Sequence, residues 1–159
     1  MFLKHTILIF ACFLFSLAAH SWGMGATGQG FRQESQHNEE RDSVRTYQLH
    51  RVLSEIQEGI VKSDVGSFAS SIAPQVYVSL LNSDEGYFSS NQSSFVIQHF
   101  LSSNRILTFR FTTIQSEGSS GYATGGGTIV RRGSPEIIQV YVALKYQERA
   151  WILTQFNIY

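Results

Sequence analysis

Hydrophobic residues recur with a helical period in the first half of the chain. Between residues 44 and 64 the apolar positions form one stripe opposite charged residues, which predicts an amphipathic helix with an inner face of Leu49, Val52, Leu53, Ile56 and Ile60. A second, shorter helix is expected over residues 65–73, between a cap at Asp64 and Pro74. A third helix is expected over residues 91–104, capped by Ser90 or Asn91.

The period changes to two residues elsewhere, which is the pattern of strands with one buried face. Two short strands are expected at residues 75–81 and 87–90, and four longer strands follow residue 105. In the last strand, Ile152, Phe156 and Ile158 are expected to face the core and Leu153 the opposite side. The element order is therefore α-α-β-β-α-β-β-β-β, which predicts an α+β fold with a curved antiparallel sheet wrapped on three helices.

The stretch GYATGGGTIV, residues 121–130, places three consecutive glycines inside a strand pattern. A phosphate-binding loop would need a lysine and a helix after the glycines, but β-branched residues follow instead. Glycines inside a strand permit a sharp bend, a bulge or the close approach of a neighbour, such as Phe109, Phe111 or Tyr141. A larger side chain at Gly126 is therefore expected to overpack or strain the sheet.

Residues 1–21 have the organisation of a secretory signal peptide. Lys4 and His5 precede an apolar stretch of 14 residues from Thr6 to Ala19, and small residues follow. This pattern predicts cleavage and export to the periplasm or the extracellular space, with no membrane span left after cleavage. An uncleaved membrane anchor is the alternative. The single cysteine, Cys12, belongs to this segment, so the mature chain is expected to have no disulfide.

The next segment, residues 22–44, is rich in Gly, Gln, Glu, Ser and Asn and is expected to form a flexible leader. A single domain is then expected over residues 45–159. A G-x-G-x-x-G match at residues 23–28 lacks the strand before it and the helix after it that a dinucleotide site requires. The sequence therefore predicts no cofactor.

The chain has 12 basic and 12 acidic residues, a balance that gives no electrostatic reason to expect nucleic-acid binding. The acidic residues fall in the leader, on the polar face of the first helix, in turns and at strand ends, not at the middle of a strand. His50 and His99 lack a carboxylate partner at a helpful spacing, and no metal-ligand spacing occurs. The sequence favours a protein without catalytic residues or metal; a small hydrolase or isomerase that uses His50 or His99 is the alternative.

A resemblance to known families rests on four stretches: IQEGIVKSDVGSFASSIAPQVYVSL, SSFVIQHFLSSN, GYATGGGTI and IIQVYVALKYQERAWILTQFNIY. With the element order, they resemble the nuclear transport factor 2-like superfamily and, more closely, an exported bacterial family called domain of unknown function 4783. The resemblance covers residues 52–159 and implies a cone-like sheet closed by helices. It includes no catalytic signature, and a shared fold alone does not define a function.

The cone implies two candidate surfaces. The aromatic residues expected inside the cone are Tyr77, Phe100, Phe109 and Phe111. They either line an apolar pocket or simply fill the core. The outer face is either an ordinary solvated surface or the interface of a homodimer, as the resemblance implies, with candidates Arg110, Tyr141, Lys145, Leu153 and Tyr159. The expected function is an exported binding or assembly module for a small apolar ligand or a protein partner.

Overall fold

The computed structural model describes the backbone of residues 28–159 and the side chains from residue 38 onward. Within this part of the chain the helices and strands are α1 (Gly28–Lys62), β1 (Ile72–Leu80), β2 (Glu85–Ser89), α2 (Ser90–Ser103), β3 (Arg105–Glu117), β4 (Ser120–Arg131), β5 (Ser134–Gln147) and β6 (Ala150–Ile158). The predicted signal peptide at residues 1–21 lies outside the described residues.

The strands form one sheet in the order β2-β1-β6-β5-β4-β3. Both helices contribute to the same hydrophobic core as the inner face of this sheet, with α1 against β3 and α2 against β1. Alternation along β5 is regular: Ile138, Val140, Val142 and Leu144 are all buried in that core. The predicted fold class, an α+β fold with a curved sheet on helices, is confirmed.

Two details differ from the prediction. β1 and β6 run parallel, so the sheet is mixed and not wholly antiparallel. The second predicted helix is a pair of short 3-10 turns, Val65–Ser67 and Ala69–Ser71. The physical reason is that Ile72 already pairs with Leu153 in the sheet, which leaves too few residues for an α-helix.

The apolar stripe of α1 is buried as predicted, from Leu49 to Ile60. The helix begins at Gly28 and so includes most of the segment predicted as a leader at residues 22–44. On α2, Ser89 is the cap and forms a capping box with Gln92, so the cap lies one residue before Ser90 and two before Asn91, the predicted cap positions.

A bulge in β6 changes the faces that its residues occupy. Ala143 pairs with Gln155 and Leu144 pairs with Leu153, so Thr154 is an extra residue between the two pairs. Its hydroxyl donates to the Ala143 carbonyl at 3.1 Å. Because of this extra residue, Leu153 is fully buried and Ile152 lies on the outer side. The predicted outward placement of Leu153 was therefore wrong.

The three glycines lie in β4, opposite the irregular part of β3. Phe109 pairs with Gly127 and Phe111 with Gly125, and β3 is irregular on both sides of this segment. A Cβ atom on Gly125 would lie 2.2 Å from the Arg110 carbonyl oxygen, and one on Gly127 would lie 2.2 Å from that of Thr108. The glycines thus permit the close approach of a bulged strand, which confirms the strand interpretation.

Candidate functional site

Three of the four aromatic candidates for an apolar pocket lie between the sheet and the helices. Phe100 and Phe109 are buried in the core, and Phe111 is half-buried and packs edge to face on Phe109 with ring centres 5.0 Å apart. Tyr77 was placed in this group wrongly, because it pairs with Gln155 on the opposite face of the sheet. Phe100 and Phe109 are therefore core residues, and Phe111 packs against that core.

Tyrosines are concentrated on the outer face, which we define as the face of the sheet away from α1 and α2. The registers place five of the chain's seven tyrosines there, namely Tyr77, Tyr87, Tyr122, Tyr141 and Tyr159. The largest fully buried aromatic side chains are instead Trp151, Phe68 and Phe156. Aromatic rings with a hydroxyl group suit a surface that is both apolar and hydrogen-bonding.

Two of these tyrosines form a pair at the edge β2. The rings of Tyr77 and Tyr87 meet edge to face at 5.2 Å, and the Tyr77 hydroxyl donates to a Glu85 carboxylate oxygen at 2.7 Å. This hydrogen bond, with smaller contributions from burial and the carboxylate charge, raises the pKa of Tyr77 above its usual value. The Tyr77 hydroxyl is therefore already engaged and is not the free group of a binding site.

A hollow of about 740 Å³ lies on the outer face over β4, β5 and β6, and we call it the trough. Gln139, Gln155 and Asn157 supply amide groups to its lining, and Thr124 supplies a hydroxyl. The rings of Tyr141 and Tyr159 complete it. Among the described residues that line the trough, none carries an acidic, basic or imidazole side chain. Its volume lies within the range of about 300–1,000 Å³ typical of small-molecule sites.

Gly126 lines the trough and contributes no side chain to it. Gly126 pairs with Arg110 on one side and Gln139 on the other, so its missing side chain would point outward between them. A Cβ atom there would meet a single neighbour, the Ile138 carbonyl oxygen, at 3.6 Å, an ordinary contact distance. The expectation that a side chain at Gly126 overpacks the sheet was therefore wrong; the crowded positions are Gly125 and Gly127.

Asn157 is the most deeply buried polar group of the trough, with 2% of its surface exposed. Its amide nitrogen donates to the Tyr159 hydroxyl at 2.7 Å. Its amide oxygen is buried and has no hydrogen-bond partner among the described residues. A buried acceptor without a partner costs roughly 1–3 kcal/mol, so this oxygen would gain from a donor brought by a ligand.

A second hollow of about 470 Å³ adjoins the trough on the outer face. Tyr141 lines both hollows, and its ring stacks on Tyr122 with centres 6.1 Å apart. Unlike the trough, the second hollow has charged residues in its lining, Glu117 and Lys145. The two hollows therefore adjoin at Tyr141, which belongs to an aromatic pair with Tyr122.

The predicted interface residues divide between the two faces. Tyr141 and Tyr159 line the trough, while Arg110 and Lys145 lie on the outer face and are exposed. Leu153 is in the core. Asn157 and Gly126 were not recognised as site residues from the sequence. The alternation of each strand places both on the outer face, where tyrosines and amide side chains occupy the neighbouring outward positions, and this combination was the available signal.

The histidines considered for catalysis stand apart from both hollows on the outer face. His50 is exposed on α1, and His99 is exposed on α2, where its ring stacks on Phe95 at 6.4 Å. In the described part of the chain, no three His, Cys, Asp or Glu side chains are grouped as metal ligands would be. Among the helices described here, none combines the length and hydropathy needed to span a membrane.

Comparison with known proteins gives a family. The profile of a domain of unknown function, DUF4783, matches residues 53–158. The chain belongs to this DUF4783 family. No curated protein sequence matches it. A crystal structure of a DUF4783 family protein from Bacteroides ovatus is similar at a TM-score of 0.55 and 13% identity, over 65% of this chain and 89% of that one.

Other solved structures extend the likeness in fold beyond the DUF4783 family. A ketosteroid isomerase-like protein from Erwinia carotovora atroseptica has a TM-score of 0.59 and 7% identity, covering 70% of this chain and 92% of that one. A protein from Streptomyces avermitilis described as a putative dehydratase of the NTF2-like family has a TM-score of 0.56 and 10% identity, covering 74% and 96%. At these identities the likeness concerns the fold alone.

Proposed function

We propose that this DUF4783 protein is an exported binding module without catalytic activity, and that it binds its partner on the outer face of the sheet. The single observation that carries the proposal is the trough, a hollow of about 740 Å³ with amides, hydroxyls and tyrosine rings in its lining. Such a lining offers hydrogen bonds and apolar contact. Among the described residues that form it, none is an acidic, basic or imidazole side chain that could act as a general acid or base near neutral pH. Export rests on the sequence of residues 1–21.

The alternative of a small hydrolase or isomerase draws support from two fold neighbours whose names refer to enzymes. An enzyme needs a group that transfers protons within hydrogen-bond reach of its substrate. In this chain the space between sheet and helices contains Phe100, Phe109 and Phe111, and His50 and His99 lie exposed on helices. The geometry therefore supports binding better than catalysis.

Pairing of two copies through the outer face is the second candidate for this surface, favoured by its five tyrosines and low charge. A two-fold interface places the same patch of both copies together. In such a pair only the points on the two-fold axis face themselves, so pairing does not by itself supply a partner for the amides of the trough, whereas a ligand that enters the trough does. We therefore favour a partner other than a second copy.

Nuclear magnetic resonance can test the proposal. The purified protein is titrated with three pools: neutral oligosaccharides, short uncharged peptides and fatty acids. We expect one pool to shift the backbone amides of Thr124, Gly126, Gln139 and Tyr141 saturably, and mass spectrometry to recover the bound compounds unchanged. Shifts centred on Phe109 and Phe111, or conversion of a compound, would contradict the proposal.

A further inference from the structure

We propose that the trough binds a neutral carbohydrate chain, an inference that rests on the proposed function of the outer face. The first argument is charge. Among the described residues, the lining of the trough has no charged side chain, whereas the amides of Gln139, Gln155 and Asn157 offer both donors and acceptors. A ligand with a full charge would lose its hydration there without an opposite charge in return.

The second argument is the mixture of rings and amides. The rings of Tyr141 and Tyr159 give apolar contact, and the surrounding groups give hydrogen bonds. Sugars present carbon–hydrogen faces and hydroxyl edges, so one ligand matches both. A hydrocarbon chain would cover the amides without satisfying them, which costs free energy for each buried polar group.

The third argument is the unpartnered oxygen of Asn157. A sugar hydroxyl is a donor and can satisfy it. The oxygen has almost no exposed area, so a ligand can reach it only after a neighbouring side chain moves, and we propose that Tyr159 is the side chain that moves. Tyr159 is 57% exposed, and its hydroxyl is bonded to the same Asn157 amide, so its movement and the ligand's entry would be coupled.

The fourth argument is shape. The trough and the second hollow share Tyr141, which suits a linear chain that crosses an aromatic pair better than a compact molecule. A peptide could not add to the sheet as a strand at this position, because β4, β5 and β6 each have a paired strand on both sides. A linear oligosaccharide needs no free strand edge.

The test is calorimetric titration of the protein with maltohexaose, cellohexaose, mannohexaose and the hexamer of N-acetylglucosamine. We expect at least one of them to bind saturably, and an oligogalacturonate, which is charged, to bind at least about tenfold more weakly. Gly126→Leu places a side chain in the trough at a position where a Cβ atom meets no close neighbour. Tyr141→Ala removes the ring that lines both hollows. Each is expected to weaken binding by about tenfold or more.

The matched control is Tyr47→Ala, which removes an exposed tyrosine of α1 and should leave the affinity unchanged. Circular dichroism confirms that each variant is folded. Saccharide binding that survives both Gly126→Leu and Tyr141→Ala would overturn the assignment to the trough. If the peptide or fatty-acid pool shifts the outer-face amides and no saccharide binds, the proposal of a carbohydrate ligand is wrong, but the proposal that the outer face binds a partner is supported. If no pool shifts them, both proposals fail.

Discussion

The three adjacent glycines of β4 have different roles although their side chains are identical. At Gly125 a Cβ atom would lie 2.2 Å from the Arg110 carbonyl oxygen and 2.7 Å from the Phe111 Cα atom, so the main chain of β3 leaves no room. At Gly126 the same atom would project into the trough. One glycine therefore serves the packing of two strands, and its neighbour leaves space at the surface.

Alanine substitutions should separate these roles. We expect Gly125→Ala to lower the free energy of unfolding by about 1–3 kcal/mol or more, because β3 must move away. Gly126→Ala should change it by less than about 1 kcal/mol and in the stabilising direction, because alanine restricts the unfolded chain. Urea denaturation of both variants measures the difference; equal losses at the two positions would contradict the geometry.

At the scale of elements, α1 supports the irregular edge strand β3. The backbone N–H of Phe111 donates to the Gln57 side-chain oxygen at 2.9 Å, next to the point where the register of β3 shifts. A bulge leaves backbone groups without a ladder partner, and an edge strand has no neighbour on its outer side. Gln57 supplies the missing acceptor.

Gln57→Leu should therefore lower the free energy of unfolding by about 1–3 kcal/mol, because the partly buried N–H of Phe111 loses its partner. Gln48→Leu on the same helix is the matched control. The Gln48 side-chain oxygen is buried without a partner among the described residues, so its replacement should be neutral or stabilising. Denaturation midpoints of the two variants decide the matter; a larger loss for Gln48→Leu would refute this account.

Local patterns explain why the elements could be predicted while some faces could not. The alternation in β5 and the stripe of α1 depend on neighbours in sequence, and both are buried as expected. The extra residue Thr154 depends on how β6 matches β5, so nothing within β6 alone indicates that Leu153 turns inward. Tyr77 is different: Val76 and Val78 are buried on either side of it, and this alternation already indicated the outer face.

The candidate site shows the same division. The outward positions of Tyr141 and Gln139 follow from the pattern of β5, whereas the trough requires that Gly126 lie between Arg110 and Gln139 across three strands. The unpartnered oxygen of Asn157 is likewise a property of the packed sheet. The pattern within one strand predicts which face of the sheet a residue occupies, whereas the position of the trough depends on how the strands are paired.

For the whole molecule, the outer face has either a ligand or a second copy as its occupant. We expect sedimentation velocity at micromolar concentration to show a monomer, because a ligand site in the trough requires that the outer face stay accessible. Tyr141→Glu should then sediment like the parent. A parent dimer that Tyr141→Glu dissociates, while Tyr47→Glu does not, would instead establish the homodimer.

The position of β6 has a consequence for how the chain acquires its structure. β6 lies between β1 and β5, and without it the sheet divides into one piece of two strands and another of three. In the parallel pair of β1 and β6, Val78 pairs with Phe156, which is far away in the sequence. Contacts between residues so distant in sequence slow folding. Until residues 150–158 have been synthesised, β1 and β5 each expose an unpaired edge, and during that interval aggregation competes with folding.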